Sequence, residues 1–266
     1  MEGGEKMRKT IEDSVAIMAN RIAEVLSTKK PAIYLFGSMI LDDFRLGWSD
    51  IDILCLTEQP IAQQEAQVLV PLRQTLLDEH PDNPYFRLFE GGMLSWQGLL
   101  TARGEQAVYW GTSGQRTTDA YQLDPFSTIE VIDFGRLLCG ADHRDRLARP
   151  TREELIQAVA HHYATIRAHA TQTSAKVTSC GWLLDIARCL YTLETGEIIA
   201  KTKAGEWALE QKLTPEPEVL NRAVEIRKAP ARYVQDAQTL AWLASLGPHI
   251  QLFADILEDN LSKRYY

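Results

Sequence analysis

The sequence predicts an α+β chain in two parts, a mixed sheet flanked by helices followed by an all-α helical bundle. Three observations carry this. Short apolar runs ending at glycine or at turn residues alternate with helical periodicity up to about residue 145. Beyond Pro150 the apolar residues recur only at helical spacing, and no run reads as a strand. The change of character falls at Asp142–Pro150, which sets the expected domains at 1–147 and 148–266.

In chain order, Ile11, Val15, Met18, Ile22, Val25 and Leu26 recur at helical spacing and predict a helix over 8–28. Ala32-Ile33-Tyr34-Leu35-Phe36 is a buried strand that stops at Gly37, and Ile51–Leu56 is a second. Residues 62–79 are helical in pattern, with a kink or split expected at Pro71. His80-Pro81-Asp82-Asn83-Pro84 is a turn before a third strand, Tyr85–Glu90. In the second half, Thr151-Arg152-Glu153-Glu154 has the form of a capping box. The helix carrying Trp182, Leu183, Ile186, Leu190 and Leu193 should stop at Gly196. Thr202 is expected to cap a third helix and Pro215 to open a fourth. Two further helices are expected over 232–246 and 249–262.

Composition narrows the function. The chain has 266 residues and a net charge of −8. That disfavours a protein that grips a nucleic-acid backbone, which needs a basic stripe, and suits one that receives a cationic small molecule. No apolar run is long enough for a membrane helix, and MEGGEKMRKT lacks a signal peptide's apolar segment. Cys55, Cys139, Cys180 and Cys189 form no CxxC pair and are expected as free thiols of a cytoplasmic protein. The adjacent His161 and His162 point in different directions on a helix and are expected to be structural or exposed.

The informative stretch is LFGSMILDDFRLGWSDIDIL, residues 35–54. A strand ends in Gly37-Ser38, where glycine lets backbone approach a ligand closely, N–H groups at a helix start attract anions and Ser38 adds a hydroxyl. Asp50 and Asp52 stand at i and i+2, so both project from one face of the next strand. Two adjacent carboxylates repel unless cations neutralise them, and an all-oxygen donor set suits Mg²⁺. Two such ions clamp the attacking and leaving oxygens of a phosphoryl displacement.

A strand, Gly-Ser and then Asp-x-Asp on the next strand resembles the signature of the DNA polymerase β-like nucleotidyltransferase superfamily. That resemblance implies a catalytic nucleotidyltransferase domain over 1–147, Mg²⁺ (two ions), ATP as nucleotide donor, and a third carboxylate on a later strand. Glu90, followed by Gly91-Gly92, is the candidate for that carboxylate, as metal ligand or as base toward the acceptor hydroxyl; Glu105, Asp119 and Glu130 are less well placed. Residues 190–210, with Arg188, Tyr191, Thr195-Gly196, Ile198, Lys201, Ala204 and Trp207-Ala208, are similar to the helical domain of streptomycin/spectinomycin-class aminoglycoside adenylyltransferases.

The narrower resemblance implies transfer of AMP from ATP to a hydroxyl of an aminoglycoside-like acceptor. Lys201 stands just before an expected helix N-terminus, a favourable place for a phosphate, with Arg45 assisting and Lys203 as a weaker alternate. The resemblance also implies acids and aromatics around the acceptor, for which Trp110, Trp182, Asp185 and Glu206 are the candidates. Two other readings stay open. One keeps the chemistry with a protein or another metabolite as acceptor; the other is a non-catalytic partner protein of the toxin–antitoxin type.

Overall fold

The structure, a computed structural model, describes residues 2–101, 104–111 and 114–264. The chain divides into two compact units. The first comprises residues 1–40, 50–123 and 130–148; the second comprises 41–49, 124–129 and 149–266. Segments 41–49 and 124–129, placed by sequence in the first domain, thus pack with the helical unit.

The first unit begins with α1 (Glu2–Val25), β1 (Ala32–Phe36), β2 (Ile51–Thr57), α2 (Gln63–Leu69), α3 (Leu72–Glu79) and β3 (Phe89–Ser95). It continues with α4 (Trp96–Thr101), β4 (Ala107–Gly111), β5 (Gly114–Thr118) and β6 (Arg136–Cys139). The six strands form one mixed sheet in the order β5-β4-β3-β2-β1-β6. β2 and β3 are parallel; the other neighbours are antiparallel.

β1 is buried along its whole length and β2 nearly so, which accounts for their unbroken apolar runs. Tyr34, Phe36, Leu54, Leu56 and Leu94 share a core with Trp96, Ala107 and Val131. Alternation sends Ile33, Leu35, Ile53, Cys55 and Met93 to the opposite face, which is equally buried.

Three strands went unread in the sequence. β4 and β6 are short, and β5 (Gly-Gln-Arg-Thr-Thr) is a polar edge without an apolar alternation. The third strand also starts later than expected. Residues 86–88 form a 3₁₀ turn, so Glu90 is the second residue of β3 rather than the end of a strand. Pro71 does split the helical stretch, between α2 and α3.

The second unit is helical: α5 (Pro125–Ile129), α6 (Arg152–His169), α7 (Gly181–Thr195), α8 (Lys201–Glu210), α9 (Pro217–Lys228), α10 (Ala237–Ala244) and α11 (Gly247–Ser262). α7 is its hub and packs against α6, α8, α9 and α11. Leu183, Leu184, Ile186, Ala187 and Leu190 of α7 face Val159, Ala204, Val224 and Phe253 in one core. Thr151 and Glu154 form the capping box on α6, and Gly196 ends α7 in the left-handed region.

Two helix starts differ from expectation. The helix after Thr214 opens at Pro217 instead of Pro215. Thr202 does not cap α8; the N-cap position is Ala200, and the Thr202 hydroxyl and amide both turn to Asp43. The last two helices span 237–244 and 247–262, with Gly247-Pro248 inside the first turn of α11. Among the described residues no single helix is long and apolar enough to cross a membrane. All four cysteines are free, three of them buried.

Candidate active site

In the first unit the sheet brings the sequence-predicted carboxylates to one end. β1 runs toward Gly37, while β2 and β3 both start there, so the ends of the three strands carry Gly37, Asp52 and Glu90 as neighbours. Asp52 pairs with Phe36 across β1–β2 and with Glu90 across β2–β3. In-register neighbours point to the same side of a sheet, so Asp52 and Glu90 share the face of Leu54 and Leu94. Asp50 immediately precedes β2.

Gly37 has φ +70°, and a Cβ built there would stand 2.1 Å from Oδ2 of Asp52. Glycine is therefore required twice, for a backbone angle that L residues rarely adopt and for clearance of the carboxylate. The chain turns at Gly37–Met39 in a single 3₁₀ turn, and the Ser38 hydroxyl faces the Asp50 carbonyl at 3.5 Å. Gly91 and Gly92, which follow Glu90, are themselves tightly enclosed. A Cβ on Gly91 would lie 1.7 Å from the Ile53 carbonyl oxygen, and one on Gly92 would lie 2.2 Å from the Tyr121 ring.

Burial, followed by the negative charge of Asp50, pushes the Glu90 carboxyl up to about 7; Arg73 opposes them. Arg73 itself is depressed by burial, against the charges of Glu90 and Asp50. Asp50, Asp52 and Glu90 nonetheless do not form a ready-made metal cage. Among the described residues no group of three His, Cys, Asp or Glu side chains is placed to hold a metal ion.

A raised carboxyl pKa has a stability consequence. Its contribution is fully present below the ordinary value of 4.5 and is lost as pH rises through about 7. Glu90→Gln is therefore expected to stabilise the metal-free protein at pH 8 by about 1–2 kcal/mol, after allowance for solvent screening. Melting curves in a chelator should show the gain at pH 8 and its disappearance near pH 5; equal shifts at both would contradict it.

In the helical unit, charged groups gather on α7 and α8. The Lys201 ammonium lies 3.0 Å from the nearer oxygen of Asp185, and Arg188 Nη2 lies 3.2 Å from the same oxygen. Burial pushes Asp185 up, but the two cations outweigh it and hold the carboxyl below its usual range. The same surroundings depress His162, chiefly through burial and then through Arg188. His162 also meets the Phe126 ring edge-on at 5.0 Å, which gives it the structural place expected of it.

A second cluster is fully buried. Asp43 and Arg227 are 4% and 3% exposed and pair at 3.0 Å. Asp43 also accepts the hydroxyl and amide of Thr202 in the first turn of α8, so a residue from segment 41–49 caps that helix. The Trp48 ring packs on Arg227 at 5.0 Å, and Arg45 approaches Asp43 at 3.5 Å.

Residues 19–83 match the family described as nucleotidyltransferase domain, and residues 147–245 match the aminoglycoside adenylyltransferase C-terminal domain. The two matches give the chain a nucleotidyltransferase domain followed by an aminoglycoside adenylyltransferase C-terminal domain. A solved structure of spectinomycin adenyltransferase AAD(9) from Enterococcus faecialis, with ATP and spectinomycin, aligns at TM-score 0.62 and 15% identity. The alignment covers 91% of this chain and 97% of that one, and at this identity it establishes a common fold. A toxin–antitoxin structure with AMP-PNP aligns at TM-score 0.25 and 18% identity over 56% of this chain and 92% of that one, too weak a likeness to carry an argument. No curated protein matches the chain.

Within these two domains, the residues singled out from sequence separate clearly. Gly37, Ser38, Asp50, Asp52 and Glu90 gather at one end of the sheet. Lys201 and Asp185, proposed from sequence for two different ligands, pair with each other. Glu206 pairs with Lys228 on the surface, and Trp182 is half-buried against the helical core.

Trp110 is a correction. It is fully buried, its indole N–H donates to the Leu69 carbonyl, and its partner Gly91 places it on the sheet face opposite Asp52 and Glu90. Two half-buried aromatic side chains on the carboxylate face are Tyr109, which pairs with Gly92, and Tyr121, whose ring lies 6.3 Å from that of Tyr109. β4 went unread in the sequence, so nothing there told Tyr109 from Trp110. Arg73, Asp43 and Arg227 were also missed, since each owes its importance to partners distant in the chain.

Proposed function

We propose that this protein transfers AMP from ATP to a hydroxyl of an aminoglycoside-like small molecule and releases pyrophosphate. The observation that carries the reading is the convergence of Gly37, Asp50, Asp52 and Glu90 at one end of the sheet. The C-terminal family match supports an aminoglycoside-like acceptor, as does the shared fold with an enzyme solved with ATP and spectinomycin.

Asp50 and Asp52 would hold Mg²⁺. An oxygen-only pair fits an ion usually bound by one or two carboxylates plus phosphate oxygens and water, so the lack of a three-carboxylate cage is no obstacle. When bound, Mg²⁺ supplies charge neutralisation on the transferring phosphate and the departing pyrophosphate.

Gly37 and Ser38 would meet the phosphates, with the 3₁₀ turn 37–39 supplying backbone N–H groups. Glu90 is the base. A carboxyl titrating near 7 takes a hydroxyl proton effectively at neutral pH. As the hydroxyl oxygen bonds to the α-phosphorus, its proton passes to Glu90 and the bond to the β-phosphate oxygen breaks. Tyr109 and Tyr121 offer the acceptor an apolar face on the carboxylate side. In the helical unit, the basic side chains Lys201 and Arg45 suit phosphate groups, and Asp185, Glu206 and Trp182 suit an amino sugar. The chain's acidity adds attraction for such a polycation.

The test is pyrophosphate release from ATP with and without Mg²⁺, using streptomycin, spectinomycin and no acceptor. Mg²⁺-dependent release with one of the two drugs is the expected result. Release with neither would turn the reading to a protein or another metabolite as acceptor.

A further inference from the structure

Arg73 takes no part in the chemistry above, yet its charge acts on both Glu90 and Asp50. It is the second residue of α3, and its Nη1 donates to the carbonyl of Phe89 at 2.6 Å. Phe89 opens β3 and directly precedes Glu90. α3 packs on the 86–88 turn that leads into β3, with Leu72, Leu76 and Phe86 buried there. The Arg73 Nε is buried and has no hydrogen-bond partner. Withdrawing a guanidinium from water in this way is unfavourable unless nearby negative charge offsets it, and here that charge belongs to the carboxylate site.

We infer that Arg73 is the positioning residue of the nucleotidyl-transfer site. Its bond to the Phe89 carbonyl pins the start of β3 so that Glu90 stands across from Asp52. Its charge is the permanent counter-ion that lets Asp50 and Glu90 lie close together without a bound cation. This rests on the assignment of Asp50 and Asp52 as the cation-holding pair.

The two roles separate by substitution. Arg73→Lys keeps the charge and loses the fork that reaches Phe89, whereas Arg73→Met loses both. Removing a fixed positive charge leaves the carboxylates a stronger field for a metal ion, while the misplaced base slows transfer. Tighter metal binding with slower turnover is a combination that a general loss of structure does not produce.

The test uses Mn²⁺ as probe on the full-length chain without nucleotide, with free ion measured by electron paramagnetic resonance. Arg73→Met is expected to bind Mn²⁺ roughly 3- to 10-fold more tightly than the native protein, and Arg73→Lys to stay within about 2-fold. In transfer assays both variants should lose about 10-fold in kcat while KM for ATP holds within about 3-fold. Unchanged or weaker Mn²⁺ binding by Arg73→Met, or unchanged kcat in either variant, would overturn the inference. Should Arg73→Met not fold, Arg73→Lys decides it, through lost kcat at native Mn²⁺ affinity. Asp52→Asn separates the two levels: if it binds Mn²⁺ like the native chain, the site assignment fails and takes the inference with it; if its binding weakens, the Arg73 variants decide alone.

Discussion

Replacement of Asp52 by asparagine is expected to lower kcat/KM for nucleotidyl transfer by about 10³-fold or more, with no loss of thermal stability. The carboxylate lies between Gly37 and Glu90 at the end where three strands meet. Asparagine has the same shape, so the clearance over Gly37 is preserved. The variant lacks only the charge needed to hold a cation against the phosphates. It also removes one negative group from a crowded acidic cluster, so its melting temperature should equal or exceed that of the native protein. Steady-state kinetics beside a melting curve decide the matter. Activity within 10-fold of native would remove Asp52 from the chemistry, and a collapsed melting temperature would make it a structural residue instead.

The second large effect is on stability. Asp43→Ala is expected to destabilise the helical unit by about 3–5 kcal/mol, because it strands a buried guanidinium. Arg227 is 3% exposed, and burial already depresses its pKa against the opposing pull of Asp43. The α8 N-terminus would lose its acceptor in the same substitution, since Asp43 receives both the Thr202 hydroxyl and amide. The double variant Asp43→Leu with Arg227→Met should recover most of the loss, because a buried ion pair is commonly replaceable by apolar side chains of similar volume. Urea denaturation followed by tryptophan fluorescence suits the measurement, with Trp48 stacked on Arg227 as a local reporter. Equal losses in single and double variants would show that the pair is not energetically coupled.

How legible each feature was depended on whether its signal was local. Gly37-Ser38 and Asp50-Ile51-Asp52 could be read because they bracket strands with unbroken apolar runs, and such runs are what a strand buried on both faces requires. The capping box at Thr151 and the stop at Gly196 were readable for the same reason, since caps act over three or four residues. Glu90 was found by likeness to a family rather than by its own surroundings, and its strand was misplaced by a few residues. Thr202 looked like a helix cap by its residue type; the actual acceptor comes from more than 150 positions earlier in the chain.

The sequence alone determined the α+β class, the separate helical half, and the glycine and aspartates at the head of the sheet, because strand burial, helical periodicity and turn chemistry are written in short stretches. The tertiary structure decided which groups meet. It set Glu90 beside Asp52, turned Trp110 to the far face, tied Lys201 to Asp185, buried Arg227 on Asp43 and bonded Arg73 to the Phe89 carbonyl next to Glu90. Those outcomes depend on strand register and on charges distant in the chain, and pairing in space leaves no period or spacing in the sequence that would announce it.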